Sequence, residues 1–459
     1  MVRVSIAAMH SLLIPGLGPI VRITPHEVHI SDPNYLNELY SMKARLDKDP
    51  WFYSWLNRNG SIFATSDADL HKIRSAPIKK ALSSAGIWRV EHVLKHYVKS
   101  LVTCMEKARD SGQSISMEDA YRAFAIDIIT EISCPDSFAL IDTPDMGHFF
   151  HLYVRTFTVF IAIWNRHFPF IVPIIDSLPR WTFALQGATA LSIYDSIALQ
   201  MKQAKDVIKN DGKPISNKDF PVIMNEVYKS EDIPASEKTA KRLFEEITIL
   251  VGAGSETTSY TLLNITYYVL ANPGILAKLK KELKENFTDA DVDGILSYKQ
   301  LETLPYLTAV ITEGLRIASA VSGRFPRINK FQPMTYQSPL PNSKTYVIPP
   351  GSAVSMSYRE IHYNPELFPS PTTFDPERFL GENKAANMKW FSAFGRGARG
   401  CVGQNLAWAE LYMVVGNLFA RFDLKLAEGV EEADVLTKYE CFSPYIEAGR
   451  KGVLLDVVR

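Results

Sequence analysis

Residues 236–271 read as one continuous helix, and that run constrains the fold more than any other part of the chain. Leu243, Ile247, Leu250, Val251, Leu262 and Leu263 recur at helical spacing. Ser236 is the expected N-cap, with Glu237 and Lys238 in the first turn, and Asn272-Pro273 is the expected stop. At about 1.5 Å per residue such a helix spans roughly 54 Å, enough to cross a large domain. Its middle reads Val251-Gly252-Ala253-Gly254-Ser255-Glu256-Thr257-Thr258. Each glycine there costs about 1 kcal/mol relative to alanine. A helix that keeps two of them, with a cluster of hydroxyls, requires room beside it or a local opening.

The rest of the chain suits a large, mainly helical domain. It has 459 residues, 46% apolar and 22% charged, with 24 Phe, 20 Tyr and 7 Trp to fill an interior. Fifty basic residues balance fifty acidic ones, which gives no reason to expect a nucleic-acid partner. Cys104, Cys134, Cys401 and Cys441 are widely spaced, so neither a disulfide framework nor a zinc cluster is expected. Residues 18–31 alternate around Thr24-Pro25 and predict a small hairpin. Helical patterning dominates to about residue 330, and residues 306–319 predict a shorter helix with Glu313 and Arg316 on one face. Strand-like segments at 345–351 and 353–356 and a helix-poor stretch from 364 to 393 follow. The segment 146–200, rich in Phe, Trp, Ile and Leu, reads as core packing or as an apolar, membrane-touching surface. The expected organisation is an atypical N-terminal segment, 1–17, and a single domain, 18–459. The apolar stretch of that first segment is broken by His10, Pro15 and Gly16 and is too short for a spanning helix.

Phe394-Gly395-Arg396-Gly397-Ala398-Arg399-Gly400-Cys401-Val402-Gly403 is the chemically richest stretch. Its glycines let the backbone approach a flat group closely. Arginine beside Cys401 favours the thiolate, a suitable axial ligand for a haem iron. Residues 395–400 also match the dinucleotide fingerprint Gly-x-Gly-x-x-Gly, a weak signal by itself. About 60 residues follow Gly400, too few for the remainder of a doubly wound domain. Taken alone, the loop leaves haem ligand and structural turn both open.

Four features stand in fixed order: Ala253-Gly254-Ser255-Glu256-Thr257-Thr258, Glu313-Gly314-Leu315-Arg316, Pro376-Glu377-Arg378-Phe379 and the cysteine loop. In this the chain resembles the cytochrome P450 family, the haem-thiolate monooxygenases, from about residue 18 to its end. Gly18-Pro19-Ile20-Val21-Arg22-Ile23 and Val354-Ser355-Met356-Ser357-Tyr358 look like filamentous-fungal members, often found in secondary metabolism. The resemblance implies that family's fold: mainly α with small β-sheets, a long central helix over haem and the cysteine loop beneath. It implies haem b (iron-protoporphyrin IX) with Cys401 as its axial thiolate and metal ligand, and Phe394 packed near the sulfur. It implies propionate contacts from Arg399 and Arg324. Thr257 and Glu256 resemble the alcohol–acid pair that delivers protons to bound oxygen, while Glu313, Arg316 and Arg378 resemble a buried structural network.

Two departures stand out. Where family members often carry an arginine four residues after a Trp or His, the segment here is His71-Lys72-Ile73-Arg74-Ser75. His71 and Arg74 are therefore candidate haem contacts. The membrane-spanning helix and proline-rich hinge with which fungal relatives begin are missing, pointing to a soluble or peripherally bound form or to a truncated start. The expected activity is oxidation of a mid-sized apolar molecule, terpenoid- or polyketide-like, by a monomer. It uses O2 and electrons from a separate NADPH-cytochrome reductase, at the endoplasmic reticulum by family analogy. A reductase-independent isomerase or peroxide-rearranging enzyme and a non-catalytic haem-binding remnant are the alternative readings.

Overall fold

A computed structural model of the protein describes residues 18–165, 167–286, 294–339 and 344–458. The segment 1–17 lies outside them. The long helix is there, as α3 in the numbering used below for the helices that build the site: α1 Ala68–Ala81, α2 Met117–Ser133, α3 Ala240–Ala271, α4 Pro305–Ala318 and α5 Gln404–Arg421. Helix α3 has 32 residues rather than 36, because Ala235–Glu237 form a separate 3-10 turn. Its N-cap is Thr239, whose hydroxyl accepts the Arg242 N–H, and not Ser236. Asn272 closes it, and Pro273 opens the next helix.

Helix α3 packs against α2, α4, α5 and the helix Ala188–Lys209. Small residues set the spacing. A Cβ on Gly254 would come 3.3 Å from Ile129 of α2. One on Gly314 of α4 would stand 2.1 Å from Ile265 of α3, so only glycine permits that crossing. Leu262, Ile265, Val269, Leu307, Val310, Leu411 and Val414 are buried in the resulting core.

A five-stranded sheet covers one side. Its strands are β1 Ile20–Thr24, β2 Glu27–Ile30, β3 Asp47–Lys48, β4 Arg327–Ile328 and β5 Ala353–Ser355, in the order β1-β2-β5-β4-β3. The β1/β2 pair is the expected hairpin. β2 and β5 run parallel, and the other pairs are antiparallel. The stretch 364–393 is less irregular than its sequence suggests, since it holds a helix at Asn383–Trp390.

Between α4 and the cysteine loop lies a fully buried ionic joint. Arg316 donates from Nε and one terminal nitrogen to the Glu313 carboxylate at 2.7 and 2.8 Å. Its other terminal nitrogen donates to the His362 and Pro371 carbonyls, both at 2.8 Å. Glu313 also accepts the Asp375 N–H at 2.9 Å and faces Arg378 Nε at 3.4 Å. Helix α4 is thus fastened to the segment 362–378 that leads into the cysteine loop. Removing one member of a buried pair strands the other charge, at a cost of about 3–5 kcal/mol. Glu313→Gln is expected to lower stability by that order, read as a drop in denaturation midpoint and in yield of haem-loaded protein.

Candidate active site

The cysteine loop is rigid by construction. The Cys401 N–H donates to the Phe394 carbonyl at 2.8 Å, closing the loop on itself. Gly397 has φ +73°, and a Cβ there would lie 2.3 Å from the Tyr40 carbonyl oxygen, so no other residue fits. Arg396 ties the loop outward, donating to Ser392 Oγ at 2.9 Å and Asn37 Oδ1 at 2.8 Å. Phe394 stacks at a tilt on Trp408 of α5, with centroids 5.8 Å apart.

Cys401 stands three residues before α5, whose N-terminal end carries partial positive charge. Its side chain remains accessible to solvent although protein surrounds it closely. Burial pushes the thiol up, and the Gly403 N–H works the other way. A sulfur placed like this needs a further positive partner to persist as thiolate at neutral pH, which a metal ion supplies.

Helix α3 carries a bare surface of its own. Its flanks are buried, yet Gly252 and Ala253 are exposed and Thr257 partly so. Nothing lies within 4 Å of where a Gly252 Cβ would be. Hydroxyls bond back along the helix here: Thr257 to the Ala253 carbonyl at 2.8 Å, Ser259 to Ser255 at 2.7 Å and Thr261 to Thr257 at 2.8 Å. Such back-bonding loosens and bends helices. Helices α3 and α5 are tied together by Thr258, which donates to the Glu410 carboxyl of α5 at 3.0 Å.

Beside the loop, positive charge accumulates without a counter-ion. Arg399 donates to the Thr65 and Ser66 carbonyls at 2.7 and 2.6 Å. Burial, then the Arg327 charge, lowers it to about 10. His71 is driven far down by burial, then by Arg399, Lys48, Lys79 and Arg327. Among the described residues no carboxylate forms an ion pair with Arg399, Arg327 or Lys48. An exposed thiol at a helix start, a bare small-residue patch on a buried helix, and unpaired cations fit a flat iron-bearing group with anionic substituents.

The comparisons agree. The cytochrome P450 family model matches residues 17–444. Cytochrome P450 monooxygenase sdnE of Sordaria araneosa is 32% identical, over 96% of this chain and 86% of that protein. Conidiogenone synthase PchP450 of Penicillium rubens is 32% identical, over 92% and 82%. Tryptophan 6-hydroxylase fscE of Fusarium equiseti is 30% identical, over 99% and 86%. The crystal structure of the cytochrome P450DA heme domain shares the fold, with a TM-score of 0.71 over 95% of this chain and 88% of that one at 18% identity. The chain belongs to the cytochrome P450 family. It is a haem-thiolate oxidoreductase of the monooxygenase type, and its relatives are fungal secondary-metabolism enzymes. The isomerase and remnant readings are not favoured.

In this P450 the expected residues divide into two groups. Cys401, Phe394, Arg399 and Thr257 lie on the loop and on the bare helix face. Arg324 does not join them: its guanidinium grips Glu27 at 2.6 and 3.0 Å and covers the Phe52 ring. Arg327, three residues on, is the one that enters the cation cluster. Arg74 is likewise engaged elsewhere, on Glu237 at 2.7 Å. Glu256 turns from the bare face toward Arg122, which donates to both its oxygens at 3.1 and 3.3 Å and also pairs with Glu118. Arg122, Lys48, Arg327 and Glu410 were missed. The available signal for Glu410 was a lone charge in an apolar run, and for Arg122 the acid four residues before it, Glu118.

Burial pushes the Glu118 and Glu256 carboxyls up, but Arg122, helped by Arg155 and His151, holds both below the ordinary value of 4.5. Depressed carboxyls contribute stability that is complete above their unfolded values and is lost as pH falls through the folded ones. Denaturant titrations should therefore show stability declining below about pH 4.5. Arg122→Met should cost about 3–5 kcal/mol at pH 7 and regain part of it on acidification, as the stranded carboxyls protonate.

Proposed function

We propose that this P450 oxidises a mid-sized apolar molecule, terpenoid- or polyketide-like, in a secondary-metabolite pathway, with electrons from a separate NADPH-cytochrome reductase. The observation that carries the reading is the pairing of an accessible Cys401 at the start of α5 with the bare Gly252–Ala253 patch and Thr257 on α3. The names of two relatives, a conidiogenone synthase and a tryptophan 6-hydroxylase, support oxidation of small organic scaffolds.

Haem b bound at Cys401 would supply dioxygen activation and insertion of one oxygen atom into the substrate. Cys401 would hold the iron as thiolate, with the Gly403 N–H moderating its charge. Arg399 and Arg327 would face the propionates. Thr257 Oγ1 keeps a proton on the exposed face, directed at the Ala253 carbonyl. Glu256, kept ionised by Arg122, would take a proton from solvent on leaving that partner and pass it toward Thr257.

The surroundings suit this role. A cleft of ≈ 510 Å³ is lined by the loop, Cys401 included, together with Lys79 and Asn405, and would offer the reductase an approach near the sulfur. No helix among the described residues is long and apolar enough to cross a membrane. Trp164, Phe168, Phe170, Ile174, Trp181 and Leu185 are nonetheless exposed together in sequence, contrary to a pure core role for 146–200. They support peripheral contact with the endoplasmic reticulum membrane. The domain 18–459 would act as a monomer.

The reduced, carbon-monoxide-bound absorption spectrum tests the reading: the red-shifted thiolate Soret band is expected, and loss of that band in Cys401→Ser. A band at the position of histidine-ligated haem in the wild type would overturn it. With reductase and an accepted substrate, Thr257→Ala should cut product roughly 10²-fold while NADPH oxidation continues.

A further inference from the structure

Lys48 and Arg327 sit directly opposite each other across the β3–β4 ladder. Both are buried, at 7% and 4% exposure. Like charges facing across a strand pair repel, and little water is present to screen them. Lys48 Nζ donates to the Phe63 carbonyl at 2.5 Å and lies 4.5 and 4.8 Å from the Tyr53 and Phe63 ring centroids. Arg327 donates to the Tyr53 hydroxyl at 2.9 Å and the Pro326 carbonyl at 3.1 Å. All these partners are neutral.

Arg399 joins the pair through the backbone. Its guanidinium donates to the Ser66 carbonyl, which also accepts the Lys48 N–H at 3.0 Å. Three cations thus lie close enough to act on one another. The acids around them are engaged elsewhere. Asp47 accepts the Ala68 N–H at 2.9 Å and pairs with Lys330 at 2.5 Å, while Asp67 caps α1. Burial first, then Arg327 and Arg399, push the Lys48 ammonium well below its usual range. Asp47 and Asp67 act on Arg399 only after burial, Arg327 and Tyr53, and among the described residues no acid is ion-paired with any of the three cations. A fold that buries this arrangement without an ion-paired acid is built to receive an anion.

On α1, His71 faces the same cations, and one turn further on is Ser75, buried and bonded only to its own helix at the Lys72 carbonyl. We infer that Lys48 binds a haem propionate, supplying from strand β3 the positive charge that helix α1 lacks at Ser75. This rests on the haem-thiolate reading above, and it adds a residue from outside the motifs on which that reading stands. Lys48 acts as a binding and positioning residue and takes no part in oxygen chemistry.

The experiment uses the haem-loaded enzyme and two readouts besides turnover: the propionate bending modes in its low-frequency resonance Raman spectrum, and the rate of haem transfer to excess apomyoglobin. Lys48→Met should shift the propionate modes and speed haem transfer about tenfold or more, as expected for losing a charge-assisted hydrogen bond. The thiolate Soret band of the carbon monoxide complex should be unchanged. Adding Ser75→Arg to Lys48→Met should slow haem transfer again. Unchanged modes and an unchanged transfer rate in Lys48→Met would overturn the assignment. If Lys48→Met yields no holoenzyme, Lys48→Arg decides: it keeps the charge but changes its reach, so propionate modes identical to wild type would overturn the assignment and shifted modes would uphold it. Absence of the thiolate band in the wild type would instead remove the underlying reading.

Discussion

The buried joint of Glu313, Arg316 and Arg378 is the constraint on which the rest of the site depends. Glu313 and Arg316 face each other at 0% side-chain exposure, a pairing tolerable only because their own donors and acceptors are matched. The matching extends beyond the ions, to the His362 and Pro371 carbonyls and the Asp375 N–H. Those backbone groups belong to the path between the sheet and the cysteine loop. His362 then passes the order on, its Nε2 accepting the Ser392 N–H at 2.9 Å just before the loop begins. Burial keeps that imidazole neutral, with Arg316 acting in the same direction, so the acceptor is preserved. Loop geometry near the sulfur is therefore inherited from an ion pair on another helix.

What the sequence made legible was what lies close together along it. The cysteine loop, the glycine and hydroxyl cluster of α3 and the Glu313–Arg316 pair are local patterns, and their chemistry could be named from spacing. What depends on partners far apart in the chain was hidden. Lys48 and Arg327 become neighbours only through strand pairing, and neither belongs to a motif. Arg324 and Arg327 are both arginines, flanking Phe325-Pro326. Only the sheet decides that the first is neutralised by Glu27 from β2 while the second is left facing Lys48. The helix start moved from Ser236 to Thr239 for a local reason: both side chains can cap, but Ser236 is taken up in the 3-10 turn Ala235–Glu237.

Helix α3 shows how a fold can keep a reactive face on an otherwise buried rod. Its glycines serve different needs. Gly254 allows Ile129 of α2 to come close, whereas Gly252 leaves open space. The hydroxyls beside them satisfy themselves on the helix backbone, so they add polarity to the open face without demanding partners across it. Glu256 is set apart by Arg122, which keeps a carboxylate available near Thr257 while preventing it from collapsing onto that face.

Glu410 carries a consequence for the protein as a whole. It is fully enclosed between the helix that follows the sulfur and the helix that bears Thr257, and burial lifts its carboxyl to about 8, against the pull of the Thr258 hydroxyl. An unfolded chain at neutral pH holds that carboxyl ionised, so assembly takes up a proton from the medium as the seam between the two helices closes. The favourable contribution is full in acid and fades as the medium turns alkaline through that value. The hydrogen that bridges the two helices is the Thr258 hydroxyl's own, while the proton on Glu410 comes from the surroundings, so closing this seam is tied to the acidity of the medium.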